Sequence, residues 1–149
     1  MSTGLKRKRR QRTRRGSYSL LIRLSKSCTV RVGKLGIFAF RRGYYVYTGS
    51  ALSGLERRIA YHLREKSRPR WHVDFLLSVA DAHVEDHVEW ETVRRSECVL
   101  NRRFLRVEGA SVPARGFGSS DCRSGCPAHL VHFRTRPDVR AIARGGKNQ

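Results

Sequence analysis

Between residues 16 and 49 the chain has four apolar or alternating segments, a pattern that is typical of β-strands. The strand-like segments are residues 17–24, 28–32, 37–40 and 44–47. Glycine-containing turn signals at residues 33–36 and 41–43 separate the last three of them. Because short turns join antiparallel neighbours, we expect these segments to form a small antiparallel sheet.

The spacing of apolar residues then becomes helical. Ser53 and Glu56 form an S-x-x-E pattern, which is typical of a capping box at the start of a helix. Leu55, Ile59 and Leu63 follow at intervals of four residues and would share one face of that helix. The pattern therefore predicts a helix that buries these three side chains.

The second half of the chain predicts further helices and strands. The expected elements are a helix at residues 71–79, a strand at 83–93, a helix at 96–105 and a strand at 128–133. In the strand at 83–93, Val84, Val88 and Trp90 should share one side, and charged residues and histidines the other. Since no internal repeat is present, the pattern predicts an α+β fold, a small antiparallel sheet flanked by helices.

The composition of the 149-residue chain indicates one domain with a basic tail at each end. Residues 1–15 contain eight of the 32 Lys and Arg residues and no acidic residue, which predicts a disordered tail. Residues 16–134 should form the folded domain. Residues 135–149 are rich in Arg and Gly, and we expect them to form a second basic tail that frays.

The formal net charge of +20 favours an anionic partner, with nucleic acid as the first expectation. Five basic residues of the first tail are candidate phosphate contacts: Lys6, Arg7, Lys8, Arg9 and Arg10. A merely solvated tail is the alternative interpretation. The charge by itself would also suit a small ribosome- or RNA-associated protein. The oligomeric state is not readable from the sequence.

The chain has no apolar run long enough to cross a membrane and no secretory signal at its N-terminus. We therefore expect no membrane partner. An intracellular location follows, either cytoplasmic or associated with the nucleoid, and the basic tail is also compatible with nuclear import.

Arg58 and His62 lie four residues apart on the flank of the predicted apolar stripe, just after a strand that contains Tyr47. An arginine can bind a phosphate through two nitrogens, and a histidine or tyrosine can move a proton. The spacing thus permits a phosphate site, although arginine and histidine side chains that merely flank a core have the same spacing. Arg57 and Arg64 should point away from the stripe and are candidate nucleic-acid contacts.

Several blocks taken in order resemble the GIY-YIG nuclease superfamily, and most closely its small subfamily known as domain of unknown function 123. The blocks are Gly16-Ser-Tyr18, Gly43-Tyr-Tyr-Val-Tyr-Thr-Gly-Ser-Ala51, Leu55-Glu-Arg-Arg-Ile59, Trp71-His-Val-Asp-Phe75, Glu97-Cys98, Phe117-Gly-Ser-Ser-Asp-Cys122 and His129-Leu130. The resemblance implies a GIY-YIG-like core. Tyr18 and Tyr47 are 29 positions apart, farther than in the wider superfamily, so residues 25–42 should form an extra hairpin near the N-terminus.

The resemblance also implies an endonuclease that depends on a divalent metal and hydrolyses phosphodiester bonds in DNA rather than RNA, with a role in DNA repair or processing. It assigns catalysis to Tyr18, Tyr47, Arg58, His62 and Glu97. It makes Gly16 and Gly49 structural residues of the two motifs. Glu97 would bind one Mg²⁺ or Mn²⁺, because hard cations prefer oxygen ligands.

Several alternatives remain at this point. Glu97 could instead stabilise a helix N-terminus as a first-turn carboxylate. His72 is a candidate substrate contact, but it could equally be a satisfied neighbour of a core Trp71. The protein as a whole could be a non-catalytic DNA- or RNA-binding module that keeps the nuclease fold.

Two cysteines and two histidines close to one another have side chains that bind zinc: Cys122, Cys126, His129 and His132. Their spacing lacks the long gap that usually separates two pairs of zinc ligands, and in a strand the two histidines would point to opposite faces. We therefore expect no zinc. Cys28 and Cys98 are interpreted as small apolar side chains.

Overall fold

The computed structural model describes residues 13–64, 68–120 and 122–145. Four strands come first, followed by two helices, and strands and helices alternate only after them. In order they are β1 (Gly16–Leu24), β2 (Cys28–Val32), β3 (Gly36–Phe40), β4 (Gly43–Ala51), α1 (Leu55–Leu63), α2 (His72–Leu77), β5 (Ala82–Glu91), α3 (Glu97–Leu105), β6 (Leu130–Phe133) and α4 (Val139–Ala143).

Four strands form one antiparallel sheet in the order β5-β1-β4-β6. β1 and β4 pair along their whole lengths, from Gly16 opposite Ala51 to Leu24 opposite Gly43. The short β6 pairs with residues 44–47 of β4, and its His132 also forms an isolated bridge with Ser111. The predicted α+β fold, with a small antiparallel sheet flanked by helices, is confirmed.

The expected extra hairpin is also present. β2 and β3 form a separate two-stranded sheet between β1 and β4 in the chain. Val32 and Phe40 of this hairpin are buried in the main core. The hairpin therefore lengthens the chain between Tyr18 and Tyr47 without separating them, since β1 and β4 still pair directly.

The sheet has a packed core on each face, because successive side chains along a strand point to opposite faces. Tyr18, Leu20 and Ile22 face a core that the hairpin, α1 and α2 cover. Leu21 and Val46 face the opposite core, which α3 and α4 cover. Helices on both faces explain why β1 is buried over almost its entire length.

The prediction that Val84, Val88 and Trp90 share one side of β5 is wrong. Val84 packs against the first core, whereas Val88 and Trp90 pack against the second. The pairing of β5 with β1 shifts by one residue between Leu21 and Ile22. An extra residue at a bulge reverses the faces of all residues beyond it, which simple alternation cannot anticipate.

Helix α1 differs from its prediction in two ways. Its N-cap is Gly54, with a φ of 146°, and no side chain caps it, so the predicted capping box is not formed. Leu63 is 54% exposed, and His62 is buried in its place. The buried stripe is therefore Leu55, Ile59 and His62, and the polar side chain is accommodated by polar partners described below.

The domain extends beyond both predicted boundaries. At the N-terminal side, the carbonyl oxygens of Arg14 and Arg15 accept hydrogen bonds from Leu55 and Thr92. At the C-terminal side, the expected frayed tail contains α4, whose Ile142 is buried in the second core. Apolar residues at Val139 and Ile142 explain this packing, since they occupy one face of a single helical turn.

No helix among the described residues combines the length and the apolar character needed to cross a membrane.

Candidate functional site

A cleft of about 420 Å³ opens beside the end of β6, where β4 continues without that neighbour. The last contact across this boundary is a 3.0 Å hydrogen bond from the Thr48 N–H to the His129 carbonyl. Five of the predicted site residues line the cleft: Tyr47, Gly49, Arg58, His72 and Glu97. Residues from β4, α1, α2 and α3 thus meet at one sheet edge.

Gly49 lines the same cleft, and Tyr18 lies directly behind it. A Cβ at Gly49 would lie 2.8 Å from the Tyr18 hydroxyl oxygen, closer than real Cβ contacts. The two residues are opposite each other in β1 and β4, which explains the close approach. Gly16 is more crowded still, since a Cβ there would overlap the Trp90 carbonyl oxygen.

Tyr18 and His62 do not line the cleft. Tyr18 is fully buried, and its hydroxyl lies 2.7 Å from Nε2 of His62. The other ring nitrogen of His62 lies 3.7 Å from the Asp74 carboxylate, which favours a proton on Nδ1. Nε2 can then accept from the Tyr18 hydroxyl. Asp74, His62 and Tyr18 therefore form a buried polar chain that ends behind Gly49.

Asp74 anchors this chain. Its Oδ2 accepts hydrogen bonds from the backbone N–H groups of Arg70 and Trp71, at 2.7 and 2.9 Å, and from the Tyr61 hydroxyl. Burial opposes the charged form, but these donors and His62 lower the pKa of Asp74 to about 2. The carboxylate is therefore ionised at neutral pH.

Arg58 is held in place at the cleft by two neighbours. Its guanidinium carbon lies 4.2 Å from the centre of the Trp71 ring, and Nη1 donates to the Ser50 carbonyl at 3.2 Å. Arg70 contacts the same ring, at 4.9 Å. Arg70 and Arg95 also line the cleft, although neither was a predicted site residue. Arginines near an aromatic ring retain donors for an anion such as phosphate.

Tyr47 is 6% exposed and lies next to Tyr18, with ring centres 6.2 Å apart. Burial raises the pKa of Tyr47 to about 12, although the Arg58 charge and the Tyr18 hydroxyl partly oppose the rise. Burial likewise raises the pKa of Tyr18 well above its usual value. Both phenols therefore keep their protons at neutral pH in the protein alone.

Glu97 begins α3, and among the described residues lining the cleft it is the only carboxylate. Its Oε2 atom is buried and has no hydrogen-bond partner among the residues that the structure describes. A buried oxygen without a partner is costly, and a hydrogen-bond donor or a cation at this position would satisfy it.

His72 orients a loop as well as lining the cleft. Its Nδ1 accepts a 2.8 Å hydrogen bond from the Gly118 N–H. Burial lowers the pKa of His72, so the ring is neutral at pH 7 and its remaining proton is on Nε2. His72 can therefore act as a hydrogen-bond donor.

The other predicted nucleic-acid contacts lie apart from this site. Arg57 and Arg64 are exposed and do not line the cleft, and Arg64 stacks over Tyr61 at 5.2 Å. The five basic tail residues, Lys6, Arg7, Lys8, Arg9 and Arg10, lie outside the described residues.

Beside Glu97, one histidine and three cysteines form a cluster that could hold a metal ion: Cys98, Cys122, Cys126 and His129. Their ligand atoms all lie within 4.8 Å of one another. Burial and neighbouring thiols raise the pKa of Cys98 to about 12, whereas hydrogen bonds outweigh burial and lower that of Cys122.

The expectation of no zinc was based on a ligand set that included His132, which is not part of this cluster. His132 lies elsewhere, 3.3 Å from the Arg42 carbonyl and packed on the Tyr45 ring. Cys98, interpreted as an apolar side chain, takes its place, 24 positions before Cys122. With Cys98 included, a long gap separates the first ligand from the other three, and zinc ligands usually show such a gap. Cys98 was therefore the sequence signal that could have identified the cluster.

A protein-family model described as a domain of unknown function, DUF123, matches residues 17–146. The match includes α4, in agreement with the packing of that helix. No curated protein matches the chain significantly, and no solved structure does. Since the model spans most of its length, the chain belongs to the DUF123 family.

Proposed function

We propose that this protein is an endonuclease that uses a divalent metal ion to hydrolyse phosphodiester bonds of nucleic acid, with DNA as the first substrate to test. One observation carries the proposal: Tyr47, Arg58 and Glu97 converge on a single cleft, where the buried Glu97 Oε2 has no hydrogen-bond partner within the described part of the chain. The reaction needs a group that transfers a proton, a positive charge and a carboxylate for the metal ion, which Tyr47, Arg58 and Glu97 would supply in that order.

The charge of the cleft suits a phosphodiester. Arg58, Arg70 and Arg95 line it, opposed by the single carboxylate of Glu97 among the described lining residues. Nε2–H of His72 is a further donor available to a phosphate oxygen. Substrate binding would therefore depend on phosphate contacts, which are common to DNA and RNA.

Glu97 fits the requirements of Mg²⁺ or Mn²⁺. These ions prefer oxygen ligands and retain several waters, so one carboxylate can be enough protein ligation. A divalent ion, when bound, supplies positive charge that offsets the charge developing on the phosphate. Arg58, held by Trp71 and the Ser50 carbonyl, would bind a phosphate oxygen in the same cleft.

Tyr47 is the group in the cleft that would hold or accept a proton. Its pKa of about 12 must fall for it to act as a base, and positive charge near the cleft lowers a phenol pKa. Tyr18 and His62 do not line the cleft, and their role would be to fix the positions of Tyr47 and Gly49 through direct packing. The resemblance to GIY-YIG nucleases, in which the matching residues are catalytic, supports these roles.

A non-catalytic nucleic-acid-binding module is the second candidate. The observation that favours it is the raised pKa of Tyr47, because a fully protonated phenol is a poor base. In that case the arginines of the cleft would bind phosphates without cleavage.

The proposal is tested with duplex, single-stranded and branched DNA and with structured RNA, in Mg²⁺, in Mn²⁺ and with EDTA. We expect metal-dependent cleavage that falls by about 100-fold or more in Glu97→Ala and Tyr47→Phe, with binding nearly unchanged.

Two variants serve as matched controls. Glu56→Ala removes an exposed first-turn carboxylate of α1, and Tyr44→Phe removes a β4 hydroxyl away from the cleft lining. Both should cleave like the parent. Cleavage by Glu97→Ala at the parent rate would refute its role, and tight binding without cleavage on every substrate would favour the binding module.

A further inference from the structure

We propose that Cys98, Cys122, Cys126 and His129 bind one Zn²⁺ as a closed, structural site that ties the first turn of α3 to the loop before β6. This site is separate from the Mg²⁺ or Mn²⁺ role proposed for Glu97, and it does not depend on nuclease activity.

The spacing of the ligand atoms fits a tetrahedral ion. With Zn–S near 2.3 Å and Zn–N near 2.0 Å, neighbouring ligand atoms lie roughly 3.5–3.8 Å apart. The Cys98 sulfur lies 3.4 Å from that of Cys122 and 3.6 Å from Nε2 of His129. With Cys126 included, no two ligand atoms are more than 4.8 Å apart. Small side-chain movements would therefore complete the site.

The chemistry of the four ligands selects the ion. Three thiolates and one imidazole are soft or borderline ligands, which Mg²⁺ and Mn²⁺ do not favour. A Cys₃His set is a usual composition of structural zinc sites. Because all four positions are filled by protein, no position remains for a water or a substrate, and the ion would be structural rather than catalytic.

The ligands join two segments that other contacts already bring together. Cys98 is on α3, whereas the other three lie in a stretch before β6 without regular strands or helices. Asn101 donates to the Ala128 carbonyl at 2.7 Å, and Arg102 donates to the Ser124 carbonyl, also at 2.7 Å. A long loop of this kind gains most from an additional cross-link.

The zinc site would also shape the cleft. Cys98 follows Glu97 directly, and Cys122 and His129 line the cleft themselves. Loss of the ion would therefore remove the link between the first turn of α3, which carries Glu97, and the loop before β6. This consequence rests on the proposed function, but the metal site itself does not.

The first experiment measures metal in the full-length protein. We expect one zinc per chain after purification without chelators, and uptake of one Co²⁺ per chain when the metal-free protein is titrated. Thiolate-bound tetrahedral Co²⁺ has intense visible bands and a sulfur-to-metal charge-transfer band. Absence of both zinc and this spectrum would overturn the proposal, as would a Cys98–Cys122 disulfide detected by mass spectrometry.

The second experiment compares Cys126→Ser with Cys28→Ser, which removes a thiol of β2 outside the cluster. Cys126→Ser should lower zinc affinity at least tenfold and lower the melting temperature, whereas Cys28→Ser should keep one zinc. If Cys126→Ser fails to fold, the Co²⁺ titration of the parent protein still decides. Equal zinc binding by the two variants would overturn the ligand assignment.

Discussion

Asp74 organises the residues behind the cleft without lining it. One carboxylate oxygen holds the start of α2 through backbone N–H groups, and the other faces His62. His62 in turn contacts the Tyr18 hydroxyl, which occupies the space that a side chain at Gly49 would need. The motif residues therefore depend on one another through a buried polar chain, in which removing one partner leaves another unsatisfied.

Asp74→Asn should lower the free energy of unfolding at pH 7 by about 2 kcal/mol, since the carboxylate pKa falls from 3.8 to about 2 on folding. A lowered pKa stabilises the fold above the unfolded value and loses this contribution as pH falls through the folded value. The stability difference between parent and variant should therefore shrink between about pH 4 and pH 2. Urea unfolding at several pH values measures it, and a difference independent of pH would contradict the assignment.

At the scale of elements, two local features decide what the helices and strands bury. The bulge in the β1–β5 pairing turns Val84 toward one core and Val88 toward the other. Helix α4 has only five residues, yet it covers part of the second core with Val139 and Ile142. Its Asp138 N-cap accepts from the Ala141 N–H at 3.1 Å. Short helices are stable only through such packing and capping.

Ile142→Ala should therefore destabilise the protein by about 2–4 kcal/mol, because the side chain is 1% exposed and its removal leaves a cavity. Ile37→Ala is the matched control: that residue is 57% exposed and should cost less than about 0.5 kcal/mol. Thermal or chemical unfolding compares them. Equal stabilities would mean that α4 does not pack in solution.

For the whole molecule, the distribution of charge matters more than its total. The acidic residues of β5 are paired: Arg14 with Glu89, Arg136 with Glu85 and Arg140 with Asp86. Within the described residues, the arginines of the cleft form no ion pair. Positive charge is thus cancelled along one edge of the sheet and left available at the cleft on the other.

Replacing Arg70 and Arg95 by Gln should weaken nucleic-acid binding and reduce its dependence on salt. For duplex DNA, the slope of log K against log[salt] should fall by about one for each phosphate that the variant no longer binds. Arg136→Gln, which alters an arginine that is paired with Glu85 and does not line the cleft, should leave the slope unchanged. Binding titrations at several salt concentrations measure this, and equal slopes for all three proteins would exclude the cleft as the binding surface.

The sequence alone predicted the fold class, the inserted hairpin and most elements, because alternation and turn residues are local signals. Together with the family resemblance, it also identified five residues that line the cleft: Tyr47, Gly49, Arg58, His72 and Glu97. Local spacing alone placed only Tyr47 and Arg58 near one strand-to-helix junction, whereas the assignment of Glu97 came from the resemblance to GIY-YIG nucleases. The candidate nucleic-acid contacts on Arg57 and Arg64 rested on helical spacing alone, and they lie elsewhere.

Tertiary structure decided the rest, since it depends on contacts between distant positions. The burial of His62 instead of Leu63 requires Tyr18 and Asp74, which lie on other elements. The candidate metal-ligand cluster requires Cys98 to meet Cys122, Cys126 and His129, which lie more than twenty positions later in the chain. Periodicity reports which face of an element is apolar, but not which neighbour that face meets, so only the folded chain determined these pairings.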